Sequence, residues 1–196
     1  MHTSLTSSPV VVLDANVLFP LSLRDLLFRA VEKGLYRLQI SRDIWDEVIR
    51  NLVENGRMTP EGAAYLDMRV QGFLAENDAL VSGYEPLVPT LTNDPKDRHV
   101  LAAAIHAHAE AIVTFNLKDF PADALAPYGI VAEHPDVFLC RLHGDNPDVL
   151  VTMVREQAAG LRNPPLTIGD VLNTLARHVP SFVSLVRPAL VDITSR

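Results

Sequence analysis

A run of apolar, mostly β-branched residues that ends in an aspartate constrains the fold of this chain more than any other feature. Residues 9–13 read Pro-Val-Val-Val-Leu, and Asp14 follows directly. A run of this kind without polar alternation predicts a strand buried on both faces of a parallel sheet. Ligands of open α/β sheets bind just outside the carboxyl ends of the strands. Asp14 is therefore a candidate site residue, and we expect its partners at the same edge.

Strand-like and helix-like patterns alternate along most of the chain, which predicts a parallel sheet wrapped by helices. Ser41 and Thr59 are expected to cap two of the helices, and the proline-rich residues 84–95 are expected to form a connection. Further strands are predicted at 38–40, 111–114 and 130–131. Helices are predicted at 23–31, 44–53, 59–77, 94–109 and 134–142.

The pattern changes around residues 144–147, after which only helical periodicity follows. Three helices are predicted there, at 149–159, 167–178 and 180–191. The predicted fold class is α/β, with a parallel sheet flanked by helices over residues 9–143. A small all-helical C-terminal appendage is predicted over residues 145–196, and its sequence alone does not indicate a function.

Composition bounds the class of protein. A net charge of −7 argues against a nucleic-acid coat protein, although an acidic enzyme site can bring its own cations. The single cysteine excludes an intrachain disulfide and is typical of a reducing compartment. No apolar run reaches the roughly 18 residues of a membrane span, and residues 1–8 do not resemble a signal peptide. We therefore expect a cytoplasmic protein with no membrane association.

Three further acids fall at places equivalent to Asp14 in the predicted sheet. Glu47 lies in the helix after the second strand, Asp97 near the start of a later helix, and Asp119 after the strand at 111–114. In a doubly wound parallel sheet all four can converge, and their repulsion then requires a cation to keep them ionised. Carboxylates with water suit Mg²⁺ or Mn²⁺. Such ions can activate water and stabilise charge on a phosphodiester.

Each of these acids also has a structural interpretation. Asp97 can be a charge that the helix dipole favours, and Asp94 can be the cap of the same helix. Glu47 lies off the apolar stripe of its helix, which also suits a solvated surface charge. Asp119 can begin a turn. Asp14 is the hardest to explain by structure alone, and the four acids together indicate a site.

The ordered set of these segments resembles the PIN-domain ribonucleases over roughly residues 9–142. The first segment, 12–18, reads Val-Leu-Asp-Ala-Asn-Val-Leu, and the last, 114–120, reads Thr-Phe-Asn-Leu-Lys-Asp-Phe. Between them lie Ser41 with 45–48 (Trp-Asp-Glu-Val) and 94–98 (Asp-Pro-Lys-Asp-Arg) with 101–104 (Leu-Ala-Ala-Ala).

The resemblance implies a PIN-like sheet and a Mg²⁺- or Mn²⁺-dependent endoribonuclease. By this likeness the catalytic, metal-binding acids are Asp14, Glu47, Asp97 and Asp119. The supporting polar shell is Asn16, Thr114 and Asn116, which would orient carboxylates and metal-bound water.

The VapC-like toxins are the branch that the chain resembles, which implies a cognate antitoxin protein that blocks the site and a homodimer. Residues 57–93 are long for a compact toxin. The appendage lies outside the domain and could contact RNA, the antitoxin or a second subunit.

Basic residues close to the acids in sequence are candidates for RNA phosphate contacts. Lys96, Arg98 and Lys118 are the first choices and Arg42 a further one, each as a contact without sequence information. Solvated surface charge is the alternative for each. A zinc site at His106 and His108 is not expected, because these positions lie on different faces of a helix.

Two other classes of function remain as alternatives. A non-catalytic PIN-fold module could bind RNA or a protein through the same surface, although four clustered acids without a cation would be destabilising. An aspartate-based phosphoryl-transfer enzyme or receiver domain also places an aspartate after a strand. The phosphatase pattern would need a second aspartate where Asn16 stands, and the receiver pattern would need an acidic pair that the sequence lacks.

Overall fold

The computed structural model describes residues 8–161 and 165–191 and confirms the predicted α/β class. Its sheet is parallel throughout and has the strand order β3-β2-β1-β4-β5. The strands are β1 (Val10–Leu13), β2 (Arg37–Ser41), β3 (Leu80–Val81), β4 (Ala111–Val113) and β5 (Val131–Glu133).

Helices connect and cover these strands. The α-helices of the described residues are α1 (Ala15–Leu18), α2 (Leu21–Glu32), α3 (Arg42–Glu54), α4 (Pro60–Glu76), α5 (Arg98–His106), α6 (Ala122–Leu125), α7 (Pro135–Asp145), α8 (Pro147–Gly160), α9 (Ile168–Leu175) and α10 (Pro180–Val191). Short 3-10 helices lie at Glu85–Thr90, Leu117–Asp119 and Ala126–Tyr128.

Strand β1 is central, as its uniform apolar sequence predicts. Val11, Val12 and Leu13 are completely buried, and β1 pairs with β2 on one side and β4 on the other. Leu13 pairs with Val113 in the register of β1 and β4. Because both strands end at this pair, the residues that follow them, Asp14 and Thr114, are neighbours at the carboxyl edge.

Both expected helix caps are present. The Ser41 hydroxyl accepts a hydrogen bond from the Ile44 amide at 3.2 Å and so begins α3 at the end of β2. The Thr59 hydroxyl accepts from the Gly62 amide at 3.2 Å and begins α4. These caps satisfy amides that the first turn of a helix leaves without partners.

The helix predicted from Asp94 is shorter than expected, and this prediction was wrong in its boundaries. The Asp94 carboxylate accepts a hydrogen bond from the Lys96 amide at 2.9 Å. The backbone carbonyl of Asp94 accepts one from the Asp97 amide at 3.0 Å. These bonds close a turn, so α5 begins only at Arg98, with Asp97 as its cap residue. The helix ends at His106 rather than near Ala109.

The sequence also failed to predict the edge strand β3. Its two residues, Leu80 and Val81, pair with Ile40 and Ser41. The expected connection at 84–95 contains a 3-10 helix. A strand of two residues carries too little alternation to be recognised in sequence.

The predicted helical appendage is observed as α8, α9 and α10. Helix α7 packs against α8 and α10, and α8 and α9 also contact α2. Residues 162–164 and 192–196, which belong to the predicted appendage, lie outside the described residues, as do residues 1–7. The division into 9–143 and 145–196 stays a prediction.

The carboxylate of Asp136 on α7 caps the first turn of α10. Asp136 is 8% exposed, and its oxygens accept from the Phe182 amide at 2.8 Å and the Ser181 amide at 3.1 Å. The first turn of α10 is thus capped by a residue 45 positions earlier in the chain. Among the described residues, no helix is long and apolar enough to cross a bilayer.

Replacing Asp136 with alanine is expected to loosen α10. The Phe182 amide, which is buried, and the partly buried Ser181 amide would lose their acceptor, at a cost of about 1–3 kcal/mol. Each kcal/mol lowers Tm by about 2–4 °C in a protein of this size. Thermal melting with hydrogen exchange of the α10 amides measures both effects. Asp148→Ala, at an exposed residue in the first turn of α8, is the control. Equal melting of the two variants, with α10 still protected, would contradict the capping role.

Candidate active site

The core of the candidate site is a hydrogen-bonded group at the ends of β1 and β4. Asp14 is 3% exposed, and its Oδ2 accepts from the Thr114 hydroxyl at 2.7 Å and from Asn16 Nδ2 at 2.6 Å. Asn16 Nδ2 also lies 3.0 Å from the Thr114 hydroxyl. The structure therefore brings the side chains of Asp14, Asn16 and Thr114 into contact at the sheet edge.

Backbone amides of the segment after β4 complete the group. Asn16 Oδ1 accepts from the Phe115 amide at 3.1 Å, and the Thr114 hydroxyl accepts from the Asn116 amide at 3.0 Å. Asn116 was expected to contribute its side chain, but that side chain is exposed and the contact is made by the backbone.

The turn that carries Asp94 and Asp97 is joined to the 3-10 helix that carries Asp119. The Asp94 amide donates to the Asp119 carbonyl at 3.3 Å, which joins the turn before α5 to the 3-10 helix after β4. The Asp97 side chain makes no capping hydrogen bond at the start of α5. The Asp97 carboxylate therefore does not act as a helix cap, the structural role that its position allows.

Glu47 meets a residue that the sequence analysis did not assign to the site. Its Oε2 lies 3.8 Å from His99 Nε2, and both side chains are partly exposed. The other ring nitrogen of His99, Nδ1, lies 2.9 Å from the Lys96 carbonyl. Glu47 is on α3 and His99 on α5, so only the packing of these helices reveals the pair.

Burial and mutual repulsion act on the carboxylates. Burial raises the pKa of Asp97 to about 7, and the negative charges of Asp14 and Asp119 contribute to this rise. Asp94 and Glu47 raise the same pKa further. Asp14, Asp119, Asp94 and Glu47 therefore lie close enough to Asp97 for their charges to act on it.

Asp14 is subject to opposing effects. Burial raises its pKa above the ordinary value, the hydrogen bond from Thr114 lowers it, and the charge of Glu47 raises it again. The backbone at Ala15 and the nearby His99 lower it slightly. The polar group around Asp14 thus favours its ionised form against the burial.

The donor set fits a divalent cation that keeps part of its water. Within residues 8–161 and 165–191, no three His, Cys, Asp or Glu side chains are close enough to enclose a metal ion. Mg²⁺ typically binds through one or two carboxylates and several waters, so a closed group is not required. Both side-chain donors to Asp14 bond Oδ2, which leaves Oδ1 without a side-chain donor among the described residues.

The candidate phosphate contacts differ in their surroundings. Lys96 is exposed and lines an open groove of 670 Å³ with Glu47 and His99. Lys118 is exposed one residue before Asp119. Arg98 Nε donates to the Asn93 carbonyl at 3.3 Å. Arg42 is held by ion pairs instead: its guanidinium lies 2.7 Å from Asp46 and 3.0 Å from Asp67.

Comparison with known proteins identifies two matching families. The family described as "PIN domain" matches residues 10–118, and the one described as "VapC50 C-terminal domain" matches residues 135–188. "Putative ribonuclease VapC50" from Mycobacterium tuberculosis is 41% identical over 109 residues, which are 56% of this chain. The chain covers 64% of the length of that relative. No solved structure matches.

Replacing Asp97 with asparagine is expected to stabilise the metal-free protein at pH 8. Because its pKa of about 7 lies above the ordinary 3.8, the unfolded chain releases this proton more readily than the fold. Stability should therefore fall as pH rises from about 4 to 7. We expect the variant to melt a few degrees higher at pH 8, since about 1 kcal/mol shifts Tm by about 2–4 °C. The gain should vanish near pH 4.

Melting curves in EDTA from pH 4 to pH 8 measure this difference, with Asp148→Asn as the matched control at an exposed carboxyl. A variant that gains the same stability at both ends of the range would show that Asp97 does not sit in a repulsive field.

Proposed function

The chain belongs to the PIN-domain family, and from this membership we propose that it is a metal-dependent endoribonuclease that hydrolyses RNA phosphodiester bonds. The observation that carries the proposal is the buried Asp14 carboxylate, which Thr114 and Asn16 hold by hydrogen bonds. It lies near Asp97, whose pKa is raised to about 7 by burial and by the charges of Asp14 and other acids. Packing gains nothing from such a cluster, whereas a cation and a phosphodiester would make use of it.

The residues that would hold Mg²⁺ or Mn²⁺ are Asp14, Glu47, Asp97 and Asp119. A bound ion of this kind supplies positive charge for the phosphate and lowers the pKa of bound water. Thr114 and Asn16 both donate to Asp14 Oδ2, so they fix the direction of the carboxylate and favour its ionised form. Asn116 contributes the backbone amide that holds the Thr114 hydroxyl in place. Lys96, Arg98 and Lys118 are proposed phosphate contacts, with the first and last supported by their exposure.

The biological role that we propose is the toxin of a type II toxin–antitoxin system. The support is the relative named as a VapC ribonuclease and the match of residues 135–188 to the C-terminal domain of that group. The role brings three further proposals: an RNA substrate, a cognate antitoxin protein that covers the site, and a homodimer. We also propose action in the cytoplasm, where RNA is available and the single thiol, Cys140, stays reduced.

We propose the two structural units that the sequence indicated, a nuclease domain over residues 9–143 and a helical extension over residues 145–196. The separate family matches at 10–118 and 135–188 support two units. Helix α7 begins inside the proposed nuclease domain and lies wholly within the second match.

A non-catalytic PIN-fold module that binds RNA or protein is the second candidate. It is favoured by one observation, that the described side chains do not form a closed metal-ligand group. The two candidates differ in a single measurable property, which is metal-dependent cleavage.

Asp14→Asn is expected to abolish cleavage while the fold survives. The amide has the same shape as the carboxylate but no charge, so a cation loses its most buried ligand. We expect the rate on a mixed structured RNA, with Mg²⁺ or Mn²⁺, to fall at least about 100-fold. EDTA should stop the parent enzyme.

Asp148→Asn, an exposed carboxyl on α8, is the control and should cut like the parent. Cleavage by Asp14→Asn at the parent rate would refute the proposed site. A folded parent that binds RNA but cuts none with either metal would favour the binding module instead.

A further inference from the structure

A second groove lies between the proposed nuclease domain and the helical extension, and its charge is opposite to that of the site. It has a volume of 380 Å³ and is formed by the corner after α1, the end of α3 and the end of α9. Among the described residues, its lining contains three arginines and one histidine but no acidic residue. The residues that matter for its chemistry are Phe19, Arg24, Arg57, Arg177 and His178. We call it the arginine groove.

Two of its arginines are exposed and carry charge that the fold does not use. Arg57 and Arg177 are both exposed, and neither forms an ion pair with another residue in the part of the chain that the structure describes. Arg24 is different, because it is 3% exposed and donates to the Leu18 carbonyl at 2.7 Å. Arg24 therefore holds the shape of the groove, and Arg57 and Arg177 remain available for an anion.

The arginine groove adjoins the candidate site through one aromatic contact. The ring of His178 lies 5.9 Å from that of Phe115, and the Phe115 amide donates to Asn16 at 3.1 Å. Asn16 in turn holds Asp14. The groove therefore begins next to the strand end that carries the buried carboxylate.

The side chain of His178, which lines the arginine groove, is a neutral ring. Partial burial lowers its pKa below the ordinary value, and the neighbouring Arg177 lowers it further. A neutral imidazole beside Phe115 offers an aromatic surface, of the kind on which bases of single strands stack.

We propose that the arginine groove binds the backbone of single-stranded RNA on one side of the bond to be cut, with Arg57 and Arg177 as phosphate contacts. This inference rests on the proposed ribonuclease function and gives the helical extension a role in it. The planar guanidinium group matches phosphate in a two-pronged contact. Single-strand binders combine such positive grooves with aromatic surfaces.

The net charge of the whole protein favours the use of such a groove by RNA. The chain carries a net charge of −7, and its site is a cluster of carboxylates, so the field around the site repels a polyanion. An RNA strand that reaches Asp14 needs positive charge beside the acids. Arg57 comes from the nuclease domain and Arg177 from the extension, so both units would hold the strand.

The test is binding of a fluorescent single-stranded RNA of mixed sequence, measured by anisotropy in EDTA so that cleavage plays no part. The double variant Arg57→Ala with Arg177→Ala is compared with Arg69→Ala with Arg187→Ala, whose arginines do not line the groove. A second variant, Arg57→Lys with Arg177→Lys, keeps the charge. Circular dichroism and melting confirm that all four proteins are folded alike.

We expect the first variant to bind on the order of tenfold more weakly and its salt slope to fall by about 1.4, the value for two lost single-strand phosphate contacts. The control pair should bind like the parent, and the lysine pair should recover most of the affinity. Unchanged binding of the alanine pair, or equal loss in the control pair, would overturn the proposal and leave the groove to a protein partner. Absence of RNA binding by the parent would also overturn it.

These experiments test the proposed nuclease function and the arginine groove separately. If the parent cuts RNA with metal but the alanine pair binds and cuts normally, the nuclease stands and the groove inference falls. If the groove binds RNA but the parent cuts none with either metal, the groove stands and the nuclease falls.

Discussion

The hydrogen bond from the Thr114 hydroxyl to the Asp14 carboxylate, 2.7 Å long, is the contact on which the site depends. It joins the ends of two adjacent parallel strands, and both residues are almost completely buried. Burial raises the pKa of Asp14 because desolvation disfavours the charged carboxylate, and the hydrogen bond from Thr114 opposes this rise. The pairing of Leu13 with Val113 sets the position of both residues, and a slip of one residue would turn them to the other face. Strand register therefore decides the chemistry of the sheet edge.

The electrostatics of this edge oppose folding and serve function. Asp97, with a pKa raised to about 7, is less stable as a charged group in the fold than in the unfolded chain. Sites of this kind are retained because ligands relieve the repulsion, a common trade between stability and activity. Under the proposed function, a cation would relieve the repulsion at the acids, and the arginine groove would offer positive charge to the RNA.

The helical extension is bound closely enough to take part in such a site. Asp136 caps α10, Gln157 on α8 donates to the Ser22 carbonyl at 2.8 Å, and Lys33 lies 3.0 Å from Glu156. The buried contacts carry most of the energy, because exposed ion pairs contribute little. A surface composed from both units is therefore held in one geometry, as a shared substrate site requires.

Local sequence determined the elements of this protein, and tertiary packing decided how their side chains meet. The apolar run of β1, the caps of α3 and α4, and the acids at strand ends were all predicted, because burial and capping leave a periodic or short-range pattern. The edge strand β3 was missed because a strand of two residues shows no periodicity. The start of α5 was predicted at Asp94, but Asp94 closes a turn and the helix begins at Arg98. The contact of Glu47 with His99 and the position of Arg57 and Arg177 on one groove could not be predicted. Each joins residues from different elements, and their distance depends on how whole helices pack, which no local pattern records.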